Sequence, residues 1–136
     1  LPNVRDEMKQ AALEEQDHLA WCEDRLKELD SLPSLLNPVW YGLSFGMGAI
    51  AGIAGDKYSL GFVAETERQV SLHLQSHLDQ LPAHDDRSKR ILEQMNQDEL
   101  HHRESALEAG GVELPFAVKI TMTAISKLMT TTSYYI

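Results

Sequence analysis

One cysteine, Cys22, in 136 residues excludes an internal disulfide framework and any multi-cysteine zinc or iron–sulfur site. It is compatible with a reducing cytoplasm. Basic residues are also scarce: 12 Lys and Arg stand against 21 Asp and Glu, for a net charge of −9. That balance argues against a surface that tracks phosphates, so no nucleic-acid partner is expected. The chain opens on Leu1, without a methionine and without a basic stretch followed by an apolar core and cleavage site, so a preceding segment is expected. Charge is missing altogether from Ser31 to Gly55. The length suits one domain over residues 1–136 with a sizeable core.

Helical spacing organises what remains. Apolar residues recur at helical intervals from Val4 to Leu29, with Ser31 and Pro33 to stop the run. The uncharged stretch "VWYGLSFGMGAIAGIAG", opened by Asn37 and Pro38, reads as a second helix. It falls just short of the roughly 20 apolar residues of a bilayer span, so a core helix or interfacial segment is expected. Gly42 and Gly46, and Gly48 and Gly52, are each four apart, which predicts tight helix packing. A third helix is expected from Ser59 to Leu81, ended by Pro82, and a fourth from Asp85 to Ala109, stopped by Gly110 and Gly111. The tail from Pro115 to Ile136 is rich in β-branched residues and ambiguous between helix and strand; in a helical context it is assigned to helix. The fold class is therefore all-α.

Two short stretches place ionisable groups where such helices should be apolar. Residues 13–21, "LEEQDHLAW", carry Glu15 and His18; residues 98–104, "DELHHRE", carry Glu99 and His102, again as Glu-x-x-His. At about 100° per residue, Val4, Met8, Ala11, Cys22, Leu26 and Leu29 fall within about 40° of Glu15, and His18 lies about 60° aside. Around Glu99 the same construction collects Leu92, Met95 and Ala106, with His102 about 60° to the same side. On the third helix Leu60, Val63, Val70, Leu74, Leu78 and Leu81 gather around Glu67, whereas Glu65 is about 160° away beside Arg68 and Gln69. Glu67 is thus expected inward and Glu65 outward; His101 is likewise expected outward.

Three carboxylates on core faces would be very costly as bare ions, so a cation must balance them. Neutral imidazole nitrogen and anionic, bridging-capable glutamate oxygen suit iron or manganese better than a thiolate-seeking metal, and two ions are implied. The metal-ligand candidates are Glu15, His18, Glu67, Glu99 and His102. One Glu-x-x-His alone is usually a solvated helix face; two copies on apolar stripes with a third inward glutamate are not. Cys22 reads as a plain core cysteine. His73 and His77, at i and i+4, read as helix surface or as supports behind the ligands, and Asp17 and Asp98 as solvent-facing or hydrogen-bonded there.

This constellation is similar to that of ferritin-like di-iron and di-manganese carboxylate bundles, which use a Glu from each of two helices and a Glu-x-x-His from each of two others. More narrowly, the chain resembles the Coq7, or Clk-1, family of demethoxyubiquinone hydroxylases. The resemblance is carried by "EEQDHL" at 14–19, "PVWYGLSFGMGAIAGIAG" at 38–55, "GFVAETERQVSLHLQSHLDQLP" at 61–82 and "DELHHRE" at 98–104. It implies a ferritin-like bundle with a di-iron centre, no catalytic residue separate from the ligands, and Glu15, His18, Glu67, Glu99 and His102 as those ligands. It also implies an earlier helix whose Asp-His-Ala-Gly-Glu stretch supplies a further glutamate. Nothing here matches that stretch, so a truncated or processed chain is expected.

The activity so implied is dioxygen-dependent hydroxylation of the demethoxyubiquinol ring in ubiquinone biosynthesis, with two iron ions as cofactor and electrons from outside, by a quinone-mediated route from NADH. An isoprenoid-tailed substrate requires an apolar surface at the membrane; the run Val39–Ala54, with Trp40 and Tyr41 as interfacial aromatics, is the candidate. A peripheral protein on the cytoplasmic face of a bacterial inner membrane is expected. An exposed apolar patch would also favour self-association or contact with other ubiquinone-biosynthesis proteins. Two rival readings share the sequence: a ferritin-like iron-oxidising or storage protein, and a non-enzymatic quinone- or lipid-binding scaffold with a degenerate metal site.

Overall fold

A computed structural model describes residues 2–136 as five helices: α1 (Pro2–Glu28), α2 (Asn37–Ile53), α3 (Asp56–Leu78), α4 (Asp86–Glu108) and α5 (Phe116–Tyr135). There is no strand among the described residues. The ambiguous tail is helical, and the all-α class holds.

The helix ends follow from local chemistry. Asp85 caps α4 by accepting the Ser88 backbone N–H at 3.0 Å, which fixes the start of that helix. Gly110, at φ +108°, takes the left-handed turn that ends it; the Gly110 N–H donates to Leu107 O and the Gly111 N–H to Ala106 O. Gly55, at φ +107°, lets the chain reverse between α2 and α3, and its carbonyl accepts from Tyr58 and Ser59. That cap starts α3 three residues before Ser59.

α3 and α4 form the centre, joined by a short turn and packed along their length. Leu60, Ala64 and Leu74 of α3, Ala106 of α4 and Leu114 beyond it make up the buried apolar core. Ser71 donates to Asn96 Oδ1 at 2.6 Å across this pair. α1 lies along α4, tied at its far end by Arg25, which donates to Ser88 Oγ and to Asp85 Oδ1, both at 2.9 Å. α2 and α5 pack on α3, and neither contributes a buried residue.

Two expectations are overturned. Gly42, Gly46, Gly48 and Gly52 receive no close approach: among the described residues a methyl group added at any of them would meet nothing within 4 Å. The glycines that do permit contact are Gly61, where a Cβ would fall on the Val112 carbonyl oxygen, and Gly111, where it would lie 2.7 Å from Ala106 O. The segment after α4 therefore folds back against α3, and its backbone requires glycine on both sides.

The second correction concerns Glu65, which is buried rather than outward-facing, at 7% exposure. Arg68 holds it through two bonds, Nε to Oε2 at 2.9 Å and Nη2 to Oε1 at 2.7 Å, and Gln69 adds a third at 2.8 Å. α3 is covered on more than one side: α4 takes the Glu67 face, while Val112–Leu114 and the start of α5 cover the face of Glu65.

Candidate metal centre

Midway along α1, α3 and α4, ligand atoms of Glu15, Glu67, Glu99 and His102 all lie within 4.8 Å of one another. His18 stands at the edge of this group, its Nδ1 3.4 Å from Glu99 Oε1 and 3.8 Å from Glu15 Oε2. His102 Nδ1 lies 3.8 Å from Glu15 Oε1. The structure thus gathers all five candidates in one place. Three of them, His18, Glu99 and His102, are almost fully buried, at 2%, 2% and 4% exposure. Glu15 is not: half of its side-chain surface is open to solvent. Its helix packs chiefly on α4, so the stripe around Glu15 is only half covered, and Leu29 at its end is exposed. Glu15 thus lies on the core face expected of it and reaches the cluster, but that face is only partly covered.

Both imidazoles are oriented by carboxylates that periodicity did not single out as their partners. His18 Nε2 donates to Asp98 Oδ2 at 2.9 Å, and His102 Nε2 donates to Glu14 Oε2 at 2.6 Å. The arrangement is reciprocal: the acidic residue just before each motif glutamate holds the histidine of the other helix. A carboxylate acceptor fixes the proton on Nε2 and leaves the Nδ1 lone pair facing the cluster. Glu14 is held below the usual carboxylate range by the Gln10 amide and then by His102, so it stays an acceptor. The signal was present in the sequence as an acidic residue one position before each Glu-x-x-His, in "EEQDH" and "DELHH".

Without a cation the cluster keeps a proton in place of one of its negative charges. Burial, together with the Glu99 carboxylate beside it, pushes Glu67 up to about 10. Burial and Glu99 also raise Glu15. Among the described residues, the buried Nδ1 atoms of His18 and His102 and the buried Oε2 of Glu99 have no hydrogen-bond partner. Two imidazole lone pairs and a carboxylate oxygen left unpaired among further carboxylates form a donor set that accepts a cation and nothing anionic. Oxygen with imidazole nitrogen suits iron or manganese, and the residues present fit such an ion.

The remaining sequence candidates lie outside this cluster. His101 and Asp17 are exposed, as expected. Cys22 is half-buried, with Sγ 3.8 Å from Met95 Sδ, and burial raises its pKa. His73 and His77 lie on the face of α3 turned towards α2 and α5. Tyr41 is exposed, whereas Trp40 turns into the same groove as the two histidines.

A five-helix chain whose facing helices converge two Glu-x-x-His motifs and a third glutamate belongs to the ferritin-like bundles, with a carboxylate–histidine cluster able to hold metal. The family model described as ubiquinone biosynthesis protein COQ7 matches residues 1–133, and the chain belongs to that family. It is 89% identical over all 136 residues to the 3-demethoxyubiquinol 3-hydroxylase of Acinetobacter baylyi. It is 85% identical, over the same span, to the protein of that name from Acinetobacter baumannii. The corresponding protein of Legionella pneumophila is 60% identical. In each case all of this chain is covered, and it spans 64% of the relative's length. No solved structure gives a significant match.

Proposed function

We propose that the protein containing this chain is a di-iron monooxygenase that hydroxylates the ring of demethoxyubiquinol in ubiquinone biosynthesis. The observation that carries the reading is the trio of buried, unpartnered atoms, His18 Nδ1, His102 Nδ1 and Glu99 Oε2, among Glu15 and Glu67. The names of the relatives supply the substrate class.

His18 and His102 would each hold one iron through Nδ1, Glu15 and Glu99 would bridge, and Glu67 would be a terminal ligand. When bound, two ferrous ions would supply two electrons to dioxygen, and with two protons from solvent one oxygen atom would enter the ring as hydroxyl and the other leave as water. Restoring the ions requires an external two-electron reductant, for which NADH acting through a quinone is the proposal. Around them, Asp98 and Glu14 hold the Nε2 protons and so keep both imidazoles aimed inward. Burial of Glu99 and His102 keeps water from that side of the site.

The isoprenoid tail needs an apolar surface. α2 and α5 supply one: Phe45, Ile53 and Phe116 are 72%, 88% and 76% exposed. Between the helices runs a groove of about 690 Å³ walled by Met47, Ile50, Phe62, Val118, Met122 and Ile125. Among the described residues no helix is long and apolar enough to cross a membrane. These features support binding to a membrane surface through α2 and α5; the cytoplasmic face of the inner membrane is the side proposed.

The test is mass spectrometry of demethoxyubiquinol after incubation of the full-length, iron-loaded protein with reductant and dioxygen. A gain of one oxygen atom is expected. Iron oxidation with an unchanged quinol would overturn the hydroxylase reading in favour of iron handling.

A further inference from the structure

On the face of α3 turned towards α2 and α5, about 80–120° round the helix from Glu67, His73 and His77 bring their Nε2 atoms to 3.0 Å, with ring centroids 4.4 Å apart and planes at 79°. They are one helical turn apart and line the mouth of a groove of about 800 Å³ between α2 and α5, with Trp40, Tyr134 and Tyr135 around it. We propose that His73 and His77 form a second metal site, which takes one late first-row divalent ion, Cu²⁺ in preference to Ni²⁺ or Zn²⁺.

The donor geometry sets the class of ion. Two imidazole nitrogens bonded at about 2.0–2.1 Å and separated by 3.0 Å subtend about 95° at the metal. A cis pair of that spacing suits a tetragonal ion, and at two imidazole donors the order of divalent affinities, Cu²⁺ above Ni²⁺ and Zn²⁺, favours copper. No carboxylate lines the groove, so an all-oxygen ion such as Mg²⁺ or Ca²⁺ has no claim on it. Without metal the 3.0 Å contact requires one ring to donate an N–H to the other; an ion takes the place of that proton and is held by both lone pairs. Partial desolvation of its ring, and then His77, lowers the pKa of His73, so its lone pair is available at neutral pH. The regular backbone of α3 presets the spacing, and the open groove leaves the other coordination positions to water or to a small oxygen donor. The site is chemically distinct from the carboxylate cluster: two nitrogens and no anion, against three glutamates with two histidines.

The test is a Cu²⁺ titration of the full-length protein with iron already loaded, in which iron is counted before and after. One equivalent of copper beyond any exchanged iron is expected, with an electron paramagnetic resonance signal showing two equatorial nitrogens. That signal should be lost in His73→Ala and His77→Ala and kept in His101→Ala. Because both side chains are exposed, the variants should fold; independently, copper on the unmodified protein should shield His73 and His77 from carbethoxylation, read by peptide mapping. Absence of the additional equivalent, the same two-nitrogen signal in His77→Ala, or no shielding would each overturn the assignment.

Discussion

Glu14 of α1 accepts the Nε2 proton of His102 on α4 at 2.6 Å, 88 residues along the chain, while Asp98 of α4 accepts that of His18 on α1 at 2.9 Å. The two bonds cross between the same pair of helices. They dock α1 on α4 and set both imidazole tautomers at once. Glu14→Gln and Asp98→Asn keep the shape but replace a charged, acceptor-only carboxylate with a neutral amide that can also donate. Iron affinity of the full-length protein should fall about 10–100-fold in each, the range for loss of a carboxylate behind a ligating histidine. Unchanged iron titrations in both variants would show that the bonds are structural only.

Glu67 carries the pH dependence. Pushed up to about 10 by burial and then by Glu99, it holds a proton at neutral pH when no cation is present. Metal must displace that proton, so iron binding should release protons into weakly buffered solution and weaken as the pH falls. For the metal-free bundle the sign is the reverse of the common carboxylate case. The folded state keeps a proton that the unfolded chain gives up near the ordinary glutamate value of 4.5, so stability falls as pH rises from there towards about 10. Glu67→Gln should flatten that fall in metal-free urea titrations; an unaltered pH profile would remove Glu67 from the buried cluster.

Space at the glycines separates two kinds of substitution. Gly61→Ala puts a methyl group onto the Val112 carbonyl oxygen and should cost about 1–3 kcal/mol, as overpacking does. Gly48→Ala meets nothing within 4 Å and should stabilise by up to about 1 kcal/mol through helix propensity. Chemical denaturation of the two variants should order them in that way. A destabilised Gly48→Ala would mean that another surface packs on α2 in the intact protein.

Arg68→Met should leave Glu65 buried with only Gln69 as partner and destabilise the fold at neutral pH. The Arg68 guanidinium, with Gln69, holds Glu65 below its ordinary value against the opposing effect of burial. Its contribution is therefore present above about 4.5 and is lost as pH falls through the lowered value. The difference between Arg68→Met and the parent in urea midpoint should shrink between neutral and acidic solution. A difference constant with pH would assign the effect to packing of the arginine stem.

These particulars show what the chain made legible. Single-helix periodicity found Glu67, Glu99 and His102 because each lies on the face where α3 and α4 meet, the one contact extensive enough to give a clean apolar stripe. It misplaced Glu65 because it grants a helix one buried face, and α3 has neighbours on several. It overvalued Gly42 to Gly52 because four-residue spacing describes a helix surface, not whether a partner is there; Gly61 and Gly111 have no such spacing, yet they receive the backbone. Glu14 escaped notice, and Asp98 was placed only in solvent or in a hydrogen bond near the ligands without its partner, because both bonds join the two helices and wheel angles are blind to that.

The most direct measurement is iron content of the full-length protein and its Glu99→Ala variant, with His101→Ala as the surface control. Two irons per chain are expected in the parent and in His101→Ala, with both lost or much weakened in Glu99→Ala, because Glu99 lies between His18 and His102. Two tightly held irons persisting in Glu99→Ala would contradict the metal centre and, with it, the hydroxylase.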